Sequence, residues 1–227
     1  MKTNLRVDRV LNYIPSNSKV ADIGCDHGYV LIKGVLKDII NLGVGVEVAK
    51  GPFQQAKVNV TEYNLQDKID IRFGNGLEPL IVDECDICVI GGMGGRLIKK
   101  ILSDNIEKSR SFKRIILQPM NSEMLLRQYL LENNWKIIDE DILIDERIYL
   151  YIIVEKGNMV LEDDFLLEIG PILAKKNVYG KEQYISEKIL KLDRVKENIK
   201  KIKVKENSKL EKIEISIEKW RNYLENK

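Results

Sequence analysis

The sequence predicts an α/β fold: a mostly parallel seven-stranded sheet with helices on both faces, followed by a C-terminal α-helical hairpin. Three observations predict it. Short β-branched runs alternate with amphipathic segments from residue 19 to residue 133. The last two such runs, 135–143 and 147–155, are separated only by a short acidic turn, and beyond residue 160 the apolar residues change to heptad spacing. Strands separated by about ten to fifteen helical residues imply crossover connections and parallel pairing, whereas so short a turn joins antiparallel neighbours.

Along the chain, Val7, Val10, Leu11 and Ile14 place a helix over 4–14 that Pro15 stops. Strands follow at 19–24, 43–48, 69–73, 86–91 and 114–118, with helices at 28–40, 51–64, 94–106 and 122–133. The hairpin around Asp145-Glu146 closes the sheet. Five parallel strands ended by such a hairpin have the outline of a Rossmann-like class I methyltransferase domain, here residues 1–160. Residues 161–227 read as a second, helical unit, with a short helix near 163–176 broken at Gly180. Ile185, Ile189, Leu192, Val195, Ile199 and Ile202, then Leu210, Ile213, Ile217, Trp220 and Leu224, mark two coiled-coil seams that fold back on each other. Ser208-x-x-Glu211 reads as the capping box of the second helix, which leaves 204–209 as the turn.

The net charge of +2 is unevenly spread: residues 1–162 hold 21 basic and 23 acidic side chains, and residues 163–227 hold 16 and 12. The lysine-rich tail therefore carries the positive excess. The N-terminal MKTNLRVDRVL lacks the pattern of a secretory signal, and no run approaches the about eighteen apolar residues of a membrane span. Three cysteines without framework spacing suit a reducing cytoplasm. Cys85-x-x-Cys88 has the spacing of a zinc or redox pair, but it lies in a β-branched run where residues three apart face opposite ways, and no second Cys/His pair completes a site. Small core residues are the expectation, and no metal.

Chemistry concentrates in VADIGCDHGY, residues 20–29, at the turn from the first strand into the first crossover helix. In an open parallel sheet, ligands lie beyond the carboxyl ends of the strands, where glycines admit a ligand to the backbone and a helix N-terminus adds a positive field. A dinucleotide-binding turn reads G-x-G-x-x-G; here the pattern is Asp22-x-Gly24-x-Asp26-x-Gly28. A carboxylate in mid-turn repels a pyrophosphate and suits an ammonium group, which favours S-adenosyl-L-methionine over NAD. Other strand ends agree. Glu47, followed by Val48, can accept ribose hydroxyls; Asn75-Gly76 can read an adenine edge; Gly91, Gly92 and Met93 begin a glycine-rich strand end. Asp22 either holds the turn's amides or faces the ligand, and the lone His27 reads as structural support rather than a metal ligand.

VADIGCDHGY, EVAKGP (47–52), GNGL (74–77), GGMGGRLI (91–98) and ILQPMN (116–121) together resemble the bacterial TrmK family of tRNA (adenine-N1)-methyltransferases, over essentially the whole chain. The resemblance implies methyl transfer from S-adenosyl-L-methionine to N1 of adenine 22 in tRNA. It implies a cofactor site of Asp22, Gly24, Asp26, His27, Gly28, Glu47, Asn75 and Gly76, and Cys25, Val48, Gly91, Gly92 and Met93, which adjoin them at the strand ends, are expected to take part. Cys25 and Gly28 stand where Ser and Ala are common in the family, and Asn75 where Asp is common. Because N1 has an in-plane lone pair, positioning should supply most of the rate. The base must be extruded from the tRNA. Tyr29 is the candidate stacking platform, Asn59 the candidate orienting residue, and Asp26 the candidate carboxylate beside the developing charge. The basic helical unit is expected to bind tRNA, in a monomer or alternatively a coiled-coil dimer. The competing readings are a methyltransferase for another RNA, a metabolite or a protein, and a non-catalytic RNA-binding module.

Overall fold

The computed structural model describes residues 4–201 and 207–225. Its centre is one sheet of order β3-β2-β1-β4-β5-β7-β6. The strands are β1 Ser18–Ile23, β2 Ile40–Glu47, β3 Ile69–Phe73, β4 Ile87–Met93, β5 Arg114–Pro119, β6 Trp135–Ile144 and β7 Ile148–Lys156. The first five are parallel, and β7 pairs antiparallel with β5 and with β6. The helices are α1 Leu5–Leu11, α2 Tyr29–Leu36, α3 Lys50–Glu62, α4 Gly95–Asp104, α5 Ile106–Ser111, α6 Glu123–Glu132, α7 Phe165–Ile169, α8 Lys181–Lys201 and α9 Asn207–Glu225.

Alternate strand residues sort onto two faces, as a period of two requires. Val20, Val89, Ile116 and Ile153 pack with α1, α2 and α3 on one face. Ala21, Ile90, Ile115 and Val154 pack with α4 and α6 on the other. Cys88, inside β4, and Cys85, just before it, are buried in this second cluster. The opposite-face argument thus does not hold for the pair. Burial explains them instead, and it pushes the Cys85 thiol up to about 12.

Several helix limits differ from the periodicity. α1 is capped by Asn4, whose side chain accepts from Val7 N, and it ends at Leu11, although Ile14 is still buried. Asn105, at φ −130° and ψ 56°, divides the expected 94–106 helix and starts α5. α7 stops at Ile169 because Gly170 takes φ +105° and Pro171 has no N–H to continue it, so the break comes well before Gly180.

α8 and α9 are antiparallel neighbours bridged by Arg221–Asp193 (3.1 Å) and Lys196–Glu214 (3.3 Å). Ser208 lies within α9 rather than at its cap, and Val195, expected in the seam, is exposed. A straight helix drifts away from a strict heptad stripe. Ile202 and residues 204–206 of the expected turn lie outside the described residues.

The C-terminal helices share the main core. Ile185 and Trp220 join the same cluster as Leu126, Leu130 and Ile137. Trp220 meets Phe165 edge-on (5.2 Å) and its indole donates to Glu168 (2.9 Å). Arg127 of α6 and Glu140 of β6, both fully buried, fasten this segment. Arg127 Nε donates to Glu140 Oε1 (2.8 Å) and a terminal guanidinium nitrogen donates to the carbonyls of Leu167 and Glu168 (2.9 Å each). Glu140 Oε2 accepts from Ile172 N (2.9 Å) and Leu173 N (3.0 Å). One ion pair thus satisfies main-chain groups on both sides of the Gly170 break.

Candidate functional site

A cavity of about 550 Å³ opens at the carboxyl ends of β1, β2, β4 and β5, where strand order reverses between β1 and β4. The turn from β1 into α2 forms one wall. Gly24, Asp26 and Gly28 all take positive φ, at +70°, +49° and +73°. That alternation explains the spacing of the sequence motif, because glycine enters this region freely and Asp tolerates it. Gly24 N donates to Val46 O (2.8 Å) and Gly28 N to Cys25 O (2.7 Å), so the turn is tied to β2 and closed on itself.

Three carboxylates line the cavity, each in a different setting. Glu47, expected to meet a ligand, braces the turn: Oε1 accepts from Val48 N and Ala49 N (2.9 Å each) and Oε2 from Asp26 N (3.2 Å). About four lone-pair sites exist on a carboxylate, so capacity remains for a ligand hydroxyl. Asp22 is 5 % exposed, lines the cavity, and receives no hydrogen bond from the turn. Burial first, then the nearby Glu47 and Asp26 charges, push its carboxyl up to about 7. Asp26 projects outward, its side chain 67 % exposed.

Eleven of the expected residues line this cavity: Asp22, Gly24, Cys25, Asp26, His27, Tyr29, Glu47, Val48, Gly91, Gly92 and Met93. Tyr29, the first residue of α2, is 37 % exposed and stacks on His27 (5.3 Å, 13°). Cys25 is buried, and desolvation with the neighbouring carboxylates raises its thiol well above the ordinary range, which leaves no nucleophilic thiolate. Gly92 N donates to Gln118 Oε1 (3.0 Å), which fixes the β4 end against β5. Gly95 lets α4 approach the next connection, since a Cβ there would meet Ser122 O at 2.6 Å.

Four expected residues lie elsewhere. Asn59, the candidate orienting residue, is buried behind the turn, donating to His27 O (2.9 Å) and accepting from Gln55 (2.9 Å). It holds the glycine turn and is not among the residues that line the cavity. Gly28 forms the helix start outside the wall; Asn75 is exposed and donates to Glu78 (3.4 Å); Gly76 packs on Ile101 with φ +54°.

The sequence reading missed the opposite wall: Asn4, Arg6, Val7 and Val10 of α1 and its cap, with Gln118 and Tyr151. Arg9 and Tyr13 hold α1 in place through Asp141 of β6, the Tyr13 hydroxyl donating at 2.6 Å. Gln118 lies in the quoted ILQPMN segment at a strand end, a usable signal; α1 carried none beyond its amphipathic spacing. Among the described residues no cluster of His, Cys, Asp or Glu could hold a metal ion.

Residues 20–222 match the family model described as TrmK: tRNA (adenine(22)-N(1))-methyltransferase. The chain belongs to the TrmK family. A tRNA (adenine(22)-N(1))-methyltransferase of Bacillus subtilis (strain 168) is 34 % identical over 181 residues, which span 77 % of this chain and 76 % of that one. The crystal structure of Streptococcus pneumoniae Sp1610, a putative tRNA (m1A22) methyltransferase, in complex with S-adenosyl-L-methionine superposes with a TM-score of 0.89 at 30 % identity. It covers 98 % of this chain and 100 % of that chain. An NADB-Rossmann superfamily protein from Streptococcus agalactiae reaches 0.89 at 34 % identity, covering 99 % and 98 %. The cavity, the glycine turn and both C-terminal helices therefore belong to a TrmK-family architecture matched over almost its full length.

Proposed function

We propose that this chain transfers a methyl group from S-adenosyl-L-methionine to N1 of adenine 22 in tRNA. The observation that carries the reading is the carboxylate Asp22, buried in the cavity wall with no hydrogen-bond donor among the described residues. An acid left uncompensated in this way is stabilised by a cationic ligand. Asp22 and Asp26 suit the ammonium of the donor's amino-acid end, and Glu47 retains acceptor capacity for a ribose hydroxyl. The backbone at Gly24 and at Gly91–Met93 gives close approach. The donor, when bound, supplies an electrophilic methyl on a sulfonium.

The chain's own part is chiefly positioning. Tyr29 offers an exposed ring at the cavity mouth, held by its stack on His27, for an extruded adenine to lie on. N1 needs no prior deprotonation, so an aligned lone pair at contact distance is the main requirement. As the ring becomes cationic, the Asp26 carboxylate stabilises the more acidic exocyclic amine. Residues 161–227, with the lysine-bearing α8 and α9, serve as a tRNA-binding arm on the methyltransferase domain formed by 1–160. Among the described residues no helix is long and apolar enough to cross a membrane.

Incubation with labelled S-adenosyl-L-methionine and bulk bacterial tRNA, followed by nucleoside analysis, tests this. Label in 1-methyladenosine is expected, and it should vanish on a transcript carrying guanine at position 22. Label in another nucleoside, or in RNase-resistant material, would refute it.

A further inference from the structure

A second pocket, of about 410 Å³, adjoins the cavity and shares Asn4 and Arg6 with it. It lies between the start of α1 and the β6–β7 turn, on the same sheet edge as the site because β6 and β1 run in the same direction. Leu5 and the buried Tyr149 supply its apolar lining. Two guanidiniums lie over the Tyr149 ring, Arg6 at 5.3 Å and Arg147 at 5.0 Å from its centroid. Asp145 and Glu146 complete the lining, which includes Arg6 but not Arg147. Among the described residues, none of these four charged side chains has an ion-pair or hydrogen-bond partner.

Free charges of both signs restrict what fits. A phosphate satisfies the guanidiniums but is repelled by the carboxylates, and a cation meets the reverse difficulty. An unstacked nucleobase satisfies both, since guanidinium planes stack on bases and carboxylates accept from N–H groups on their edges. Guanine presents two adjacent donors, N1–H and the N2 amine, which match the two oxygens of one carboxylate. We propose that this pocket is a second nucleobase subsite that takes an unstacked guanine of the same RNA whose adenine enters the cavity. This rests on the tRNA reading above.

The test turns on a sign. RNA is a polyanion, so removing two acids from a passive rim would tighten its binding. If the acids read a base, the double variant Asp145→Asn/Glu146→Gln instead lowers kcat/KM for tRNA by about tenfold or more, the worth of a bidentate base contact. Its affinity for S-adenosyl-L-methionine and its thermal unfolding should match wild type. An unchanged or improved kcat/KM overturns the subsite. Arg6→Met/Arg147→Met keeps apolar cover on Tyr149; it should lower kcat/KM with little change in salt dependence. A salt slope reduced by about one for each arginine indicates phosphate contacts and overturns base stacking. Wild-type protein that forms no 1-methyladenosine overturns the functional reading and the subsite together, whereas an active wild type with an unaffected double variant overturns the subsite alone.

Discussion

Replacing Asp22 by Asn should make the ligand-free protein more stable at neutral pH while weakening its hold on S-adenosyl-L-methionine. The carboxyl is raised from 3.8 to about 7, by burial and by the Glu47 and Asp26 charges. Because the folded state holds this proton more tightly than the unfolded chain, the stability Asp22 contributes is fully present below its unfolded pKa. It is lost as pH rises through about 7. A shift of roughly three units corresponds to about 4 kcal/mol between the two limits, an order-of-magnitude figure. Asn escapes this loss, and no hydrogen bond from the turn is broken by the exchange.

Urea denaturation of both proteins at several pH values between about 5 and 8 measures the effect. Wild-type stability should fall relative to Asp22→Asn by up to about 1.4 kcal/mol per pH unit, then level off above the folded pKa. Calorimetry of cofactor binding gives a second reading. At about pH 6 the wild-type carboxyl is roughly nine-tenths protonated, so a cationic ligand should expel close to one proton, and the Asn variant none. Stability differences that stay flat across this range, or identical proton release, would refute the assignment of Asp22 as the uncompensated acid.

Four further outcomes are expected. Tyr29→Ala should raise KM for tRNA and leave S-adenosyl-L-methionine affinity near wild type, whereas Tyr29→Phe keeps the ring and the activity; steady-state methylation and calorimetry separate the two. Asn59→Ala removes a buried hydrogen bond to His27 O and should weaken cofactor binding by about 1–2 kcal/mol without touching the ligand, as read by calorimetry. Arg127→Ala leaves Glu140 charged and buried and should cost about 3–5 kcal/mol in chemical denaturation, with Arg127→Lys restoring only part. Gly170→Ala forces a Cβ to within 2.4 Å of Glu140 Oε2 at φ +105°, so its thermal midpoint should fall by several degrees.

The fold was legible where it rests on local patterns. All seven strands fall within a few residues of their predicted limits because β-branched runs between glycines and polar turns leave few alternatives. The glycine turn was legible for a similar reason: Gly24, Asp26 and Gly28 alternate in sequence because their left-handed conformations alternate in space. What escaped depends on contacts between distant segments. Whether Glu47 or Asp22 braces the turn is decided by which carboxylate reaches Asp26 N, and both stand at strand ends beside the same loop. Asn59 looked available because its partner, His27 O, is a main-chain atom that no sequence pattern marks.

The C-terminal helices likewise depend on contacts between distant segments. From heptad spacing alone, residues 161–227 look removable, and truncation would seem to isolate tRNA binding from cofactor binding. The structure places Trp220, 2 % exposed, in the main core, and burying a side chain of that size is worth about 3–5 kcal/mol against alanine. Truncation would also strip Arg127 of its bonds to Leu167 and Glu168, and Glu140 of the amides at Ile172 and Leu173. A shortened protein should therefore lose stability and cofactor affinity together, even if the helices do bind RNA. Charge reversal on solvent-exposed lysines is the cleaner perturbation. Lys191→Glu combined with Lys212→Glu should raise KM for tRNA while thermal unfolding and S-adenosyl-L-methionine affinity stay at wild-type values. An unchanged KM would remove α8 and α9 from the RNA-binding surface and leave them the structural role that the buried Ile185 and Trp220 already require.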